Sequence, residues 1–185
     1  VSIGPNSPPS VIVIPQDLLL SVPGFGEYRL GEAMVFEGPE LVSLAVTNAF
    51  GIRIDRLVLL PRGSLAAAIT TTVTVDLAAP FFVDDGTSIE RQLPAGESQV
   101  TADLLEDLLV EEGAGDPFEW IQRQGTAWRA ILGAVESEPR VADRLLATEG
   151  ADAADLLVTV AGADDSLVAT LPVEPANDGG NRTAL

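Results

Sequence analysis

The sequence predicts a mixed α/β fold, and three features predict it. Short apolar runs rich in β-branched residues, VIVI at 11–14 and VTVDL at 73–77, read as strands. Between them lie stretches whose apolar residues recur at helical spacing, as at Leu41, Leu44, Ala45 and Val46. Glycine and proline then mark the boundaries between the two kinds of segment.

The elements follow in order. Residues 11–14 are wholly apolar and fit a central strand, and residues 18–22 fit a second. A turn-rich segment carries Gly24, Gly26 and Gly31. Gly38-Pro39-Glu40 opens a helix, with proline early and an acid in its first turn, and Gly51 closes it. Residues 57–60 read as a strand, 64–69 as a short helix and 73–77 as a further strand. The piece DDGTSIERQLPAGESQ reads as a hairpin or loop, with turns at Asp85-Gly86 and Pro94-Ala95-Gly96. Thr101 caps a helix running to about Glu112, Gly113 and Gly115 break it, and Pro117 starts a longer one through Trp120, Trp128 and Leu132. Helical segments around 141–146 and 153–160 and a short strand at 167–171 complete residues 1–172, which read as one domain. Residues 173–185 read as a flexible polar tail.

Composition removes whole classes of chemistry. The chain has no Cys and no His, and all ten of its basic residues are arginine. Thiol and Ser-His-Asp nucleophiles, Schiff-base lysines, a lysine-bearing phosphate loop and His- or Cys-held zinc are therefore excluded. A net charge of −18 argues against nucleic acid, whose phosphates need a basic surface. No run of 18 apolar residues is present to span a membrane. The lack of lysine beside abundant Ala, Gly and Arg fits a high-GC bacterial genome, a matter of codon usage rather than physics.

The ordered motifs IPQD, VPGFGEYRLGEAMVFEGPEL, GIRIDRLVLL, VTVDL, LPAG and GDPFEWIQRQ resemble a LytR-CpsA-Psr domain over most of the chain. The resemblance implies a three-layer α/β/α sandwich around a mixed central sheet. It also implies a place outside the membrane, behind an N-terminal transmembrane segment that this sequence lacks. Enzymes of that family transfer glycopolymers from polyprenyl-pyrophosphate carriers to the cell wall. A polyprenyl-linked lipid, a cell-wall glycopolymer and a divalent cation such as magnesium are the implied ligands. An apolar groove for the lipid is expected from residues 41–50, 57–60 and 101–110.

The same resemblance singles out the site and its departures. The family's Pro-Arg-Asp turn stands here as Pro15-Gln16-Asp17, so the arginine is replaced by an amide while the carboxylate stays. In the later Asp-x-x-Arg-x-x-Arg-Gln pattern, Asp116, Arg123 and Gln124 match with one extra residue, and Trp120 stands for the first arginine. The helix after LPAG ends in Val110-Glu111-Glu112 where the family places another arginine, Gly31 stands where it has an asparagine, and Thr71-Thr72 replace a double glycine. The chain also starts downstream of an Asp-bearing strand that normally supplies metal ligands. Asp17 and Arg123 are thus the catalytic relics, Gln16, Asp116, Trp120 and Gln124 the ligand-binding candidates, and Asp17 the single metal candidate. A bound metal is not expected.

Plainer readings stand beside these. Asp17 serves equally as a turn cap. Arg123 lies four residues after Glu119, the spacing of a surface ion pair, and on spacing alone that pair is preferred. Trp120 and Trp128 share nearly one helix face, which favours core packing over a ligand platform. Asp84-Asp85 and Glu111-Glu112 read as solvated surface, and Arg53 and Arg56 flank Asp55. Three functions remain, in this order: an envelope domain that binds lipid, glycopolymer or partner with catalysis lost; an active phosphotransferase or pyrophosphatase with displaced arginines; and a structural interaction domain without a ligand. An apolar groove, an arginine cluster facing Asp17 and a filled interior respectively distinguish them.

Overall fold

A computed structural model describes residues 2–4, 7–84, 87–113, 116–163, 167–175 and 183–184. In chain order the elements are β1 (Ser2–Gly4), β2 (Ser7–Val13), β3 (Leu19–Val22), β4 (Gly26–Arg29), α1 (Leu30–Glu37), α2 (Pro39–Phe50) and α3 (Ser64–Ala68). They continue with β5 (Val73–Leu77), β6 (Phe81–Asp84), β7 (Ile89–Leu93), β8 (Gly96–Val100), α4 (Ala102–Val110), α5 (Pro117–Ser137), α6 (Arg140–Leu145) and α7 (Ala151–Ala161). The last are β9 (Leu167–Thr170), β10 (Glu174–Pro175) and β11 (Thr183–Ala184). The fold is α/β, and the chain divides into two compact units, residues 1–13 with 60–170 and residues 14–59 with 171–185.

The first unit is built around α5. Its mixed sheet has the order β1-β2-β9, with β1 antiparallel and β9 parallel to β2. A parallel neighbour needs a long crossover, which the chain between β2 and β9 supplies. β5 pairs antiparallel with β8 in a separate ladder, and β6 with β7 in another. β5 alternates buried Val73, Val75 and Leu77 with exposed Thr74 and Asp76, the period-two pattern of a strand with one face inward. α5 packs against β5, β9, β2, α4 and α7. It begins as the sequence predicts, with Asp116 as N-cap accepting from the Phe118 N–H at 2.9 Å and Pro117 in the first turn. Thr101 likewise caps α4, accepting from the Leu104 N–H at 3.4 Å. Leu105, Leu108, Ile131 and Val135 are fully enclosed.

In the second unit β3 and β4 form a hairpin whose turn uses Gly24 at φ 83° and Gly26 at φ 103°. Both lie in the left-handed region that side chains resist. α2 ends on Gly51 at φ 65°, whose N–H reaches the Thr47 carbonyl at 2.9 Å, the αL closure expected there. The core joins Leu18, Leu20 and Val22 to Leu30, Ala33, Leu41, Ala45 and Val46.

Three expectations are corrected. Residues 57–60 form no strand: all four are apolar in succession with no alternation, Leu57, Leu59 and Leu60 are exposed, and no described strand pairs with them. β5 consequently does not share a ladder with β2. The segment read as turns after Gly24 holds β4 and the helix α1 as well. α1 was hidden because its buried face is only Leu30 and Ala33, and its N-cap is Arg29 rather than a Ser, Thr, Asp or Asn. Of the tail, residues 176–182 and 185 lie outside the described residues, as do Asp85-Gly86; β10 pairs antiparallel with β11.

Candidate functional site

The sequence-predicted residues fall in two groups, one in each unit. In the second unit, the chain leaves β2 through Pro15 and turns at Gln16-Asp17, with the Leu18 N–H reaching the Pro15 carbonyl at 3.2 Å. The start of α1 closes on this turn, because the Gly31 N–H donates to the Gln16 carbonyl at 2.7 Å and Leu30 to Leu18 at 2.9 Å. A Cβ on Gly31 would stand 3.3 Å from the Gln16 Cβ, so the glycine permits that close approach. The Gln16 side chain is exposed. Asp17 Oδ1 accepts from Arg29 Nη1 at 3.1 Å, and the Asp17 side chain is 21% exposed. The partner of Asp17 is therefore a guanidinium twelve residues away, not a backbone turn. Arg29 was visible in the sequence only as part of Tyr28-Arg29-Leu30, and pairing across a hairpin leaves no short-range spacing signal.

In the first unit the group gathers around the end of α4. That helix stops at Val110, so its last carbonyls have no helical donor. The neighbouring turn of α5 supplies them. Trp120 Nε1 and Gln124 Nε2 both donate to the Leu109 carbonyl, at 3.3 and 2.8 Å. Arg123 Nη2 donates to the carbonyls of Glu111 and Glu112 at 2.7 and 2.9 Å. The Arg123 guanidinium also lies 4.5 Å above the Phe81 ring, a cation–π contact. This corrects the expected surface pair with Glu119: the arginine turns inward onto a helix end, where cations are favoured. Burial lowers its pKa to about 10, although Glu119 and Glu112 oppose the shift. Trp120 is 2% exposed, so it packs in the core, whereas Trp128 is half-buried. Asp116 acts as the α5 cap described above.

Arg62, which sequence reasoning did not single out, supplies a cation on the other side of α4. It meets Asp107 at 2.6 Å and Glu111 at 3.0 Å. Asp107 is raised by burial against the opposing charge of Arg62, and Glu111 adds to the rise. Beside it the buried carboxylate of Glu106 accepts from the Gly63 N–H at 2.7 and 2.9 Å, anchoring the loop before α3. Arg53 and Asp55 form a wholly solvated pair at 2.6 Å.

Two cavities lie between β5 and α5, of about 700 and about 330 Å³. Neither is lined by α4 or by residue 60, the first-unit parts of the expected groove. Asp76, Thr126 and Arg129 line both, and Arg123 and Glu119 line the smaller. Among the described residues, no three Asp or Glu gather as a metal site, and no helix is long and apolar enough to cross a membrane.

No protein-family model matches the chain. A segment of 76 residues, 40% of the chain, is 33% identical to a probable cell wall biosynthesis protein, LcpB, of Corynebacterium glutamicum. That segment spans 18% of the relative's length. Among solved structures, a LytR-Csp2A-Psr enzyme from Actinomyces oris superposes with TM-score 0.75 at 20% identity, over 95% of this chain and 75% of that one. Bacillus subtilis TagT superposes with TM-score 0.68 at 17% identity, over 95% and 72%. TagT bound to LI-WTA gives TM-score 0.65 at 18% identity, over 95% and 72%.

Proposed function

We propose that the chain is a LytR-CpsA-Psr-type domain that holds a polyprenyl-phosphate lipid or its glycopolymer in a cell envelope without transferring it. The observation that carries this reading is the inward turn of Arg123. A transferred pyrophosphate needs several guanidinium forks and a cation to hold its developing charge. Here Nη2 of Arg123 is engaged by the Glu111 and Glu112 carbonyls, Trp120 is buried, and Gln16 donates hydrogen bonds without charge. Apolar side chains left exposed on the second unit, Val35 at 83%, Ile52 at 47% and Leu44 at 46%, support a lipid ligand. The domain acts outside the membrane in this reading, as cell-wall work requires.

Magnesium does not fit the described residues. Asp17 is already engaged by Arg29, no three carboxylates gather among the described residues, and a hard cation needs more oxygens than one side chain offers. No step here runs through a metal.

Arg29 favours a second reading. It brings a guanidinium to Asp17, where the family's Pro-Arg-Asp turn carries one and this chain has Gln16. An active phosphotransferase with a displaced arginine would use that pair. Native mass spectrometry with an added polyprenyl phosphate tests the first reading. A retained lipid adduct is the expected result, and a protein that stays lipid-free would defeat it.

A further inference from the structure

The larger cavity, of about 700 Å³, falls within the range of about 300–1,000 Å³ that small-ligand sites occupy. Hydroxyls dominate its wall: Thr70, Thr71, Thr72 and Thr74 come from the segment that enters β5, and Thr126 and Ser137 from α5. A hydroxyl both donates and accepts, so such a wall suits a ligand whose own groups do the same. The charged residues of the lining are Asp76, Arg129 and Glu138. Glu138 Oε1 accepts from Arg144 Nη1 at 2.9 Å, and Arg129 Nη2 donates to the Val168 carbonyl at 3.3 Å. The wall therefore holds no excess of positive charge for a phosphate. Nor does any group of three carboxylates gather for a metal ion among the described residues.

Between Thr126 and Ser137, α5 lines the cavity with Ala130, Gly133 and Ala134. Glycine is a costly choice inside a helix, and a Cβ on Gly133 would meet nothing within 4 Å, so packing does not require it. Small C–H surfaces flanked by hydroxyls complement a pyranose ring, which carries C–H groups on its faces and O–H groups around its rim. The smaller cavity shares Asp76, Thr126 and Arg129 and adds the amide of Gln122, beside Glu119 and Arg123. We propose that the larger cavity binds an uncharged oligosaccharide, the Thr and Ser hydroxyls exchanging hydrogen bonds with those of the sugar over the small residues of α5. An uncharged polyol is what the wall selects, and its identity as a glycan rests on the glycopolymer reading above. The site is built wholly from the first unit, whereas Asp17 and Arg29 belong to the second.

Calorimetric titration of the purified protein with chitotriose and with maltotriose, both free of phosphate, reads the site. Saturable binding of at least one is expected, with shifted amide resonances at residues 70–72 and 126. Gly133→Leu fills the cavity from the helix and should abolish binding. Thr126→Val keeps the side-chain volume, removes one hydroxyl and should weaken binding about fivefold, which preserves a reading if Gly133→Leu fails to fold. Inorganic pyrophosphate in excess should leave the binding unchanged. Binding of neither trisaccharide overturns the proposal, as does binding that both variants leave intact or that pyrophosphate displaces. A polyprenyl phosphate bound where no trisaccharide binds overturns the cavity site and keeps the lipid reading. The opposite pattern keeps the cavity site and removes the lipid reading.

Discussion

Replacing Arg123 by methionine keeps an unbranched apolar stem over Phe81 and removes the guanidinium. Two charge-assisted hydrogen bonds to the Glu111 and Glu112 carbonyls are lost, each worth about 1.5–3 kcal/mol. The cation–π contact adds about 0.5–1 kcal/mol, and a methionine sulfur beside the ring returns a similar amount. Against the loss stands relief of a costly burial, since Arg123 Nε is enclosed without a partner among the described residues and burial has already lowered the pKa to about 10. The net expectation is a loss of about 2 kcal/mol, which at a urea slope of about 2 kcal/mol per molar moves the midpoint down by about 1 M. Urea unfolding at pH 8 measures it. An unchanged or raised midpoint would mean that the guanidinium is kept for a ligand and not for the α4 end, and the reasoning would fail. The pH dependence gives an independent check. Between about pH 10 and the ordinary arginine range the unfolded chain binds the proton that folded Arg123 has released, so stability from this group rises with pH. The unmodified protein should therefore gain on the Arg123→Met variant from pH 9 to pH 11. The absence of lysine and cysteine, with a single tyrosine, keeps that window nearly free of other titration.

Gly113→Ala should destabilise strongly, by about 2 kcal/mol or more, because φ is 72° and the new Cβ would stand 2.6 Å from the Phe82 carbonyl oxygen. Gly133→Ala, inside α5 with nothing near the added methyl, should stabilise by about 0.5–1 kcal/mol; thermal unfolding distinguishes the pair, and opposite signs are required. Arg29→Ala should cost under about 1 kcal/mol of stability, since its bridge to Asp17 is partly exposed. The same variant should weaken binding of a polyprenyl phosphate about tenfold if the pair meets the headgroup, which a titration with the lipid reads out.

Local signals carried most of the element order. The α2 boundaries were legible because Pro39 and Gly51 are strong punctuation, and α5 because Asp116-Pro117 caps and starts a long periodic face. α1 was not, because a three-residue lead of Arg29, Leu30 and Gly31 carries no helix signature. The strand expected at 57–60 failed for a different reason: β propensity is realised only with a partner edge, and pairing is a property of the whole fold. The site divides in the same way. Asp116 as a cap is a local fact and was readable as part of a motif. The Asp17–Arg29 pair and the seating of Trp120, Arg123 and Gln124 on the α4 carbonyls depend on chain reversals that residue spacing does not encode.

The central claim is that this domain holds its lipid-linked ligand without turning it over. A polyprenyl-pyrophosphate-linked sugar incubated with the protein, with and without magnesium or manganese, tests it when binding and phosphate release are followed in the same samples. Saturable binding with no release above the protein-free rate is the predicted result. Release that the unmodified domain catalyses, and that Asp17→Asn or Arg29→Ala abolishes while the fold persists, would contradict it and make the Asp17–Arg29 pair the heart of a working transferase.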